Sequence, residues 1–556
     1  DPLCQAIADS VDNVSIPFGV QGDMGLPQDA VIDARMCQKC STMLEYDYRQ
    51  YGQLGSYHCP ECGFGRSDLA CAASNVAFGE ACQSGKGLAY DAMLINQSGR
   101  VEVPFSGAYM VYNTLAVFIA ADLVGVPFQE TLRAVQEFDP KNGRLQRYDI
   151  DQTQVLLNLA KNPTGFNQNL KIVIGHEGPV AVAFFVNDKE GDGHDVSWLW
   201  DIDFQELAKM PNLIAFAGGL RAADVQVVLK YAGIDSRLVD GVADVLKYAR
   251  AESPEAQVFA IANYTALPGV KADLDALEKD SSKLGPIASA GAAARTEDVA
   301  VGGAATDAAS TDAASVDAAA AGVKTVGSAS GLPVGGDAII APVDMEPLVI
   351  AHLFPTLLNL YGDNGNVRVL EQRLKWRGIP VQIVRVEDPA DFDAQTADIV
   401  FIGGGPDREQ HQASEGLSQL REKLLDYVQD DGALLAICGG YQIIGDEWLL
   451  GSEEVPGLSL VDVTTKRAEG GSHNRLVGNI VLESSLVQMP VVGFENHAGR
   501  TFLGEGLAPF GNVIGSNGSG NNDSDHVDGV LYKNLIGSYL HGPLLSTNPQ
   551  VADVLI

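Results

Sequence analysis

Residues 279–344 constrain the chain more than any other stretch. They include "SAGAAARTEDVAVGGAATDAASTDAASVDAAAAGVKTVGSASG", which is almost wholly Ala, Gly, Ser, Thr, Asp and Val and holds no aromatic residue. Such a segment cannot bury enough apolar surface to offset the entropy lost on ordering. It is expected to be a disordered tether, so the chain must build two separate folded halves on either side of it. An alanine-rich helix is the alternative, and the repeated Gly and Thr-Asp breaks oppose it.

Both halves carry α/β signatures. "FIGG" and "ALLAI" in the second half are short apolar runs that stop at or near glycine, the pattern of buried parallel strands turning into helices. "KIVIGHEGPVAVAFFVND" in the first half is expected to hold one or two strands. Alternation of such runs with helical patterns predicts parallel sheets. With 46% hydrophobic and 20% charged residues the chain is globular, and 556 residues suffice for three or four domains. A net charge of −35 excludes a general nucleic-acid binder, which needs a basic footprint. No run of ~20 uninterrupted apolar residues occurs, so no membrane span is expected. The chain opens at Asp1-Pro2 and stops at Ile556 inside a helix-like stretch, so both ends are expected to be cut.

Four of the eight cysteines form C-x2-C…C-x2-C: Cys37 with Cys40, and Cys59 with Cys62. Each pair can grip one metal ion from a tight turn, and four thiolates close a tetrahedral zinc site with no position open to substrate. The expected role is structural, in a ribbon over residues 33–72. His58 is a neighbour rather than a ligand, and Cys4, Cys71 and Cys82 are structural thiols. A metal set rather than a disulfide ladder favours a reducing, cytoplasmic setting.

The eighth cysteine raises a different question. Cys438 ends the apolar run of "ALLAICGGYQIIG" and is followed by two glycines. A sharp strand-to-helix turn would hold its thiol outward beside a helix N-terminus, which favours a thiolate. A buried structural cysteine is the plainer alternative. Upstream lies "IVFIGGGPDREQ", a strand ending in three glycines, and downstream "IGSYLHGPLLSTNP", an apolar run ending in His541. Thiol, imidazole and glycine loop together suggest a Cys–His nucleophile with an oxyanion hole.

"GGGPD", "ICGGYQIIG", "GFENHAGRT" and "SYLHGP" resemble the class I glutamine amidotransferases of the cobyric-acid-synthase-like branch, over residues 345–556 with a flavodoxin-like fold. The resemblance implies that Cys438 attacks the side-chain amide of L-glutamine and His541 handles the proton. It also implies that N–H groups around Gly404 and Gly439 hold the oxyanion and that Gln442 contacts the substrate. Arg475 is the candidate for the substrate carboxylate, because a guanidinium fork suits it. Many such enzymes carry Glu two residues after the histidine; here Pro543 stands there, so the acid must come from elsewhere or a dyad suffices.

The first half resembles the Mur ligases. "GAYMVYNTLAVFIAA" is similar to their central-domain helix, with Asn113 in the adenine-associated position, and Arg144 fits the arginine near the nucleotide phosphates. "LLNLAKNPTGFNQNL" is similar to the start of their C-terminal domain. Residues 1–138 then read as a central-domain remnant carrying the zinc ribbon, and 139–278 as the Rossmann-like C-terminal domain. The altered "AKNPTGFNQ", the "DVSWLWD" box and the four-cysteine insertion resemble the MurT family, whose partner amidotransferase is GatD. That family resemblance implies an aspartate of the box, Asp195 or else Asp201, reaching across to complete the Cys438–His541 pair.

The implied reaction is that of the lipid II isoglutaminyl synthases: ATP and Mg2+ activate the D-glutamate α-carboxylate of the lipid II stem peptide, and ammonia from glutamine displaces the phosphate. The Gly-x-x-x-x-Gly-Lys-Ser/Thr phosphate loop is absent from this sequence and is expected upstream. The two halves would dock on each other and meet the lipid substrate peripherally, at the inner face of the plasma membrane. A cobyrinate-type amidase and a zinc-stabilised non-catalytic scaffold bearing a glutaminase are the alternatives.

Overall fold

A computed structural model describes residues 1–28, 35–79, 87–105, 107–284, 345–450, 453–468, 474–515 and 518–556. From residue 285 onward the expected tether lies outside the described residues, as does Cys82. Lys279 itself closes the helix Leu267–Lys279.

In the second half the apolar runs are strands of one six-stranded sheet. Its order is Val381–Val386, Leu348–Leu353, Ile399–Ile402, Ala433–Ile437, Leu535–Ser538, Val530–Tyr532. The first five are parallel and the last is antiparallel. In chain order the parallel strands run 2-1-3-4-5, the flavodoxin-like winding. Ile399–Ile402 and Leu535–Ser538 are buried at every position, as expected of strands with both faces covered. This winding places the loops after Leu353, Ile402, Ile437 and Ser538 side by side along the carboxyl edge, where ligands of such sheets bind. Two four-stranded sheets, one including Val463–Arg467 and Gly499–Leu503 and the other Leu476–Glu483 and Val491–His497, contribute walls above that edge.

The first half holds a second six-stranded sheet, ordered Ser236–Leu238, Leu213–Gly218, Val180–Phe185, Gln257–Ala262, Thr153–Leu159, Gln146–Ile150. Only Gln146–Ile150 pairs antiparallel. The stretch "KIVIGHEGPVAVAFFVND" contains one strand, not two. Lys171–Ile174 ends the helix Pro163–Ile174, which Asn162 caps by accepting from Gly165 N–H with Pro163 at the first helical position. Ahead of it a four-stranded sheet of Phe18–Val20, Cys71–Phe78, Leu88–Leu94 and Gln97–Val103 packs against the helices Ala108–Leu123 and Phe128–Gln136.

A single apolar cluster runs through both halves, joining Phe166, Phe184 and Trp200 to Leu353, Val367 and Leu370. The described parts of the two halves thus share one core. Among the described residues no helix is long and apolar enough to cross a membrane.

Candidate active site

The strand Ala433–Ile437 delivers Cys438 to the carboxyl edge and the helix Gly439–Ile443 begins at once. Cys438 holds φ 50° and ψ −104°, a conformation that an L-residue adopts only under constraint. The constraint is close packing: a Cβ on Gly440 would lie 2.6 Å from the Ile402 carbonyl oxygen, and one on Gly439 2.7 Å from Gln410 Oε1. The elbow is therefore built for the thiol, which is 7% exposed.

His541 follows the neighbouring strand Leu535–Ser538 and is tied down by a backbone bridge to Phe494. It is 1% exposed. Its Nδ1 stands 3.6 Å from Oδ1 of Asp363, itself fully buried. Burial pulls the proton affinity of the ring down. The charge of Cys438 and then the Asp363 carboxylate outweigh that cost, and the pKa of His541 is raised overall. Neither ring nitrogen completes a hydrogen bond. Tyr361 closes the far side, its ring 4.9 Å from the imidazole in an edge-on arrangement.

A carboxylate of the second half, Asp363, thus stands beside His541, and the charge of Asp195, the expected acid, acts on Tyr361 at the edge of the same imidazole. Asp195 is exposed and accepts from Ser197 N–H and Oγ at 2.8 and 2.9 Å, which caps the turn that follows. Asp201 accepts from Asn359 Nδ2 at 3.1 Å, and burial pushes its carboxyl up to about 6. Asp363 escaped sequence reasoning because nothing local marks it. Its one signal is position, in "YGDNG" after the apolar strand Leu348–Leu353.

The structure narrows the amides expected around Gly404 and Gly439 as oxyanion donors. Gly404 N–H is engaged by Asp363 Oδ2 at 2.7 Å. Gly439, the first helical residue, has no intrahelical acceptor for its N–H, and the Gly405 nitrogen lies 3.2 Å from the place a Gly439 Cβ would take. These two amides, not that of Gly404, are free to face a developing charge. Beside the thiol is a cavity of about 90 Å³ lined by Gly405, Gln442, Lys466, Arg467, Arg475 and Asn496, among others. Gln442 is fixed at both ends of its amide, accepting from Gln410 at 2.9 Å and donating to the Tyr539 hydroxyl at 3.1 Å. Arg475 donates from Nε and Nη2 to Asn496 at 2.7 and 2.6 Å, and Asn496 in turn donates to the Tyr361 hydroxyl at 2.6 Å. The cavity suits a small amino acid with its carboxylate toward the cationic wall.

In the first half the sulfurs of Cys37, Cys40, Cys59 and Cys62 lie within 4.8 Å of one another, with Cys37–Cys62 at 3.5 Å and Cys40–Cys59 at 3.4 Å. Four sulfurs around a zinc ion at ~2.3 Å would sit about 3.8 Å apart, so the set fits a tetrahedral metal ion. Ser41 and Gly63, both at positive φ, supply the tight turns after each pair. His58 points away to Glu45 at 3.3 Å. Arg144 lines a separate cavity of about 310 Å³ with Tyr109, Asn162 and Gln168, whereas Asn113 is exposed on its helix and outside that lining.

Residues 349–549 match the CobB/CobQ-like glutamine amidotransferase domain family, and residues 159–267 match the MurT ligase C-terminal family. The chain is 42% identical over 213 residues to the GatD subunit of lipid II isoglutaminyl synthase (glutamine-hydrolyzing) from Staphylococcus aureus (strain N315), covering 38% of this chain and 84% of that protein. It is 30% identical over 242 residues to the MurT subunit from Staphylococcus aureus (strain COL), covering 43% of this chain and 52% of that protein. Cobyric acid synthase of Listeria innocua is 32% identical over 170 residues, but only 31% of it is covered. The chain spans about half the length of its MurT relatives. It belongs to the GatD family of glutamine amidotransferases, carried here on one polypeptide behind a MurT-like ligase segment.

Proposed function

We propose that the second half hydrolyses L-glutamine at Cys438 and that the first half is the ligase that consumes the ammonia. The carrying observation is the convergence of Cys438, His541 and Asp363 at the carboxyl ends of neighbouring parallel strands, with the cysteine in a strained elbow. Cys438 attacks the amide carbon, and its proton passes by way of His541 to the departing ammonia. The N–H groups of Gly405 and Gly439 hold the oxyanion, and water then releases glutamate from the thioester. Asp363 orients the imidazole and stabilises its cation. Arg475 takes the substrate α-carboxylate and Gln442 its neighbouring polar groups.

The ligase reaction follows from the relatives' chemistry. When bound, ATP with Mg2+ would supply a phosphoryl group to the D-glutamate α-carboxylate of the lipid II stem peptide, and ammonia would displace inorganic phosphate from the acyl phosphate to give D-isoglutamine. Arg144, in its cavity with Tyr109 and Asn162, is the contact we assign to the nucleotide phosphates, and Asn113, on the helix Ala108–Leu123, the one we assign to its adenine. The MurT-like segment favours this acceptor over a cobyrinate. The lipid substrate implies work in the cytoplasm at the inner membrane face.

Glutamate release from glutamine by the full chain tests the first step. Arg475→Ala is expected to raise KM by roughly 10²-fold with a smaller change in kcat, since a charge-assisted pair contributes about 2–3 kcal/mol. An unchanged KM removes Arg475 from the site.

We assign zinc to the four cysteines in a structural role. Native protein should contain one zinc per chain by elemental analysis. Chelation should lower Tm, because metal binding to such a site is coupled to folding. The Cys37 carbonyl accepts from Arg408, at the start of the helix Asp407–Ser418 behind the glycine loop, and Arg35 donates to Thr356 at 2.8 Å. Metal loss should therefore also loosen the contact between the ribbon and the amidotransferase half.

A further inference from the structure

The glycine loop and the cysteine elbow each offer one amide to the oxyanion, Gly405 and Gly439, yet no backbone hydrogen bond joins the two segments among the described residues. They touch directly: a Cβ on Gly404 would lie 3.1 Å from Cys438 Cβ and 3.4 Å from the Gly439 nitrogen. Contact of that kind sets a minimum distance and no direction. The polar tie comes from Gln410, in the first turn of the helix Asp407–Ser418 that follows the loop.

Gln410 is buried, and its Nε2 donates twice. One bond goes to the Gly439 carbonyl at 3.3 Å and the other to Gln442 Oε1 at 2.9 Å. Among the described residues no other hydrogen bond joins this helix to the elbow. The place of a Gly439 Cβ lies 2.9 Å from Gln410 Cδ and 3.2 Å from the Gly405 nitrogen, so side chain, elbow and loop converge on one point. Gln410 N–H donates to the Pro406 carbonyl at 2.9 Å, which seats the residue on the turn beside Gly405. The elbow is held separately. The Cys438 carbonyl accepts from Gln442 N–H at 3.1 Å, and Gln442 Nε2 donates to the Tyr539 hydroxyl, which pairs with Thr501 at 2.5 Å. Elbow and loop are thus aligned on each other through one carboxamide.

We infer that Gln410 is a positioning residue for glutamine hydrolysis: its carboxamide ties the Gly439 turn to the glycine loop and aims the Gly405 and Gly439 N–H groups at one oxyanion. Such donors are effective only when they are aimed before the charge develops. Attack on the amide and release of glutamate by water both pass through that charge, so both steps depend on the alignment. Carboxylate binding at Arg475 and proton transfer at His541 do not. This inference rests on the reading of Cys438 as nucleophile with Gly405 and Gly439 as donors, and adds what aligns the donors.

The test runs two reactions of the same thiol in the full chain, for wild type, Gln410→Met and Gln410→Asn. Met keeps the length and loses both donations; Asn is one methylene too short to make them. Steady-state glutamine hydrolysis forms a tetrahedral oxyanion. Alkylation by iodoacetamide, followed as the mass of the Cys438 peptide, displaces iodide at carbon and forms none. Loss of a direct oxyanion donor costs roughly 10²–10³-fold in kcat, so misaligning the pair should lower kcat by about tenfold to a hundredfold in both variants. KM should move less than about threefold, and the alkylation rate less than about twofold.

Should Gln410→Met fail to fold, Gln410→Asn is the smaller change and should give the same split. Wild-type kcat in a folded variant overturns the inference. So does an equal fall in hydrolysis and alkylation, which would make Gln410 a prop of the whole elbow. A loss confined to KM overturns it too, since Gln410 would then act only on substrate binding through Gln442. If the wild-type chain hydrolyses no glutamine, the site reading fails and this inference with it; if it does and the variants match it, only the alignment by Gln410 fails.

Discussion

Changing Cys438 to Ala or Gly removes glutamine hydrolysis, by roughly 10⁴-fold or more, since no neighbouring group can replace the nucleophile. The two variants part company in stability. At φ 50° and ψ −104° the backbone is strained for any residue with a Cβ. Alanine keeps that strain and glycine relieves it, so Cys438→Gly should be more stable than Cys438→Ala by about 1 kcal/mol despite its freer unfolded chain. Denaturant midpoints with matched m-values give the difference. The opposite order would mean that the elbow is unstrained and that the cysteine is held only by packing. Wild-type hydrolysis by either variant would move the nucleophile elsewhere.

Changing Asp363 to Asn keeps an oxygen for Gly404 N–H and deletes the charge beside His541. The expected loss in kcat/KM is roughly 10²-fold or more, by analogy with an orienting carboxylate in a triad. The sign of the pH effect follows from the electrostatics. A carboxylate near the ring favours the imidazolium, so its removal lets His541 lose its proton at lower pH. The alkaline limb should therefore move down by about one unit or more. Asp195→Asn is the comparison that decides between the halves. If it abolishes hydrolysis while Asp363→Asn leaves both rate and limb intact, the acid comes from the first half after all.

These two experiments bear on what could and could not be read from the residues. The Cys438 elbow was legible because its signal is local: an apolar strand broken at Cys-Gly-Gly leaves the chain little choice but a sharp turn into a helix. The four-cysteine cluster was legible for the same reason, since spacing within each pair fixes the bite. His541 and the glycine loop were found as ends of apolar runs, and the parallel sheet followed from those runs. The carboxylate beside His541 was not, because that neighbour is set by strand order. The winding 2-1-3-4-5 sets the loop after Leu348–Leu353 beside the loops after Ile399–Ile402 and Ala433–Ile437, and no pattern around Asp363 announces that neighbour.

The same geometry engages the Gly404 N–H with the buried Asp363 carboxylate, which leaves its neighbour Gly405 among the amides expected there. "KIVI" turned helical because Asn162 and Pro163 start a helix whose end it completes, a capping signal stronger than a short apolar run. The "DVSWLWD" box was recognised as special, but its use was not. Sequence showed acids and tryptophans together; only the tertiary structure showed Trp200 packed against Gly362 and Gly365 and the Asp195 charge acting on Tyr361. The sequence by itself marked the candidate thiol, imidazole and metal-binding cysteines, because residues at strand ends and in tight turns are marked by their immediate neighbours. The tertiary structure alone placed Asp363 beside His541, engaged the Gly404 amide and set Trp200 against the loop of Asp363, because those neighbours depend on distances between segments far apart in the chain.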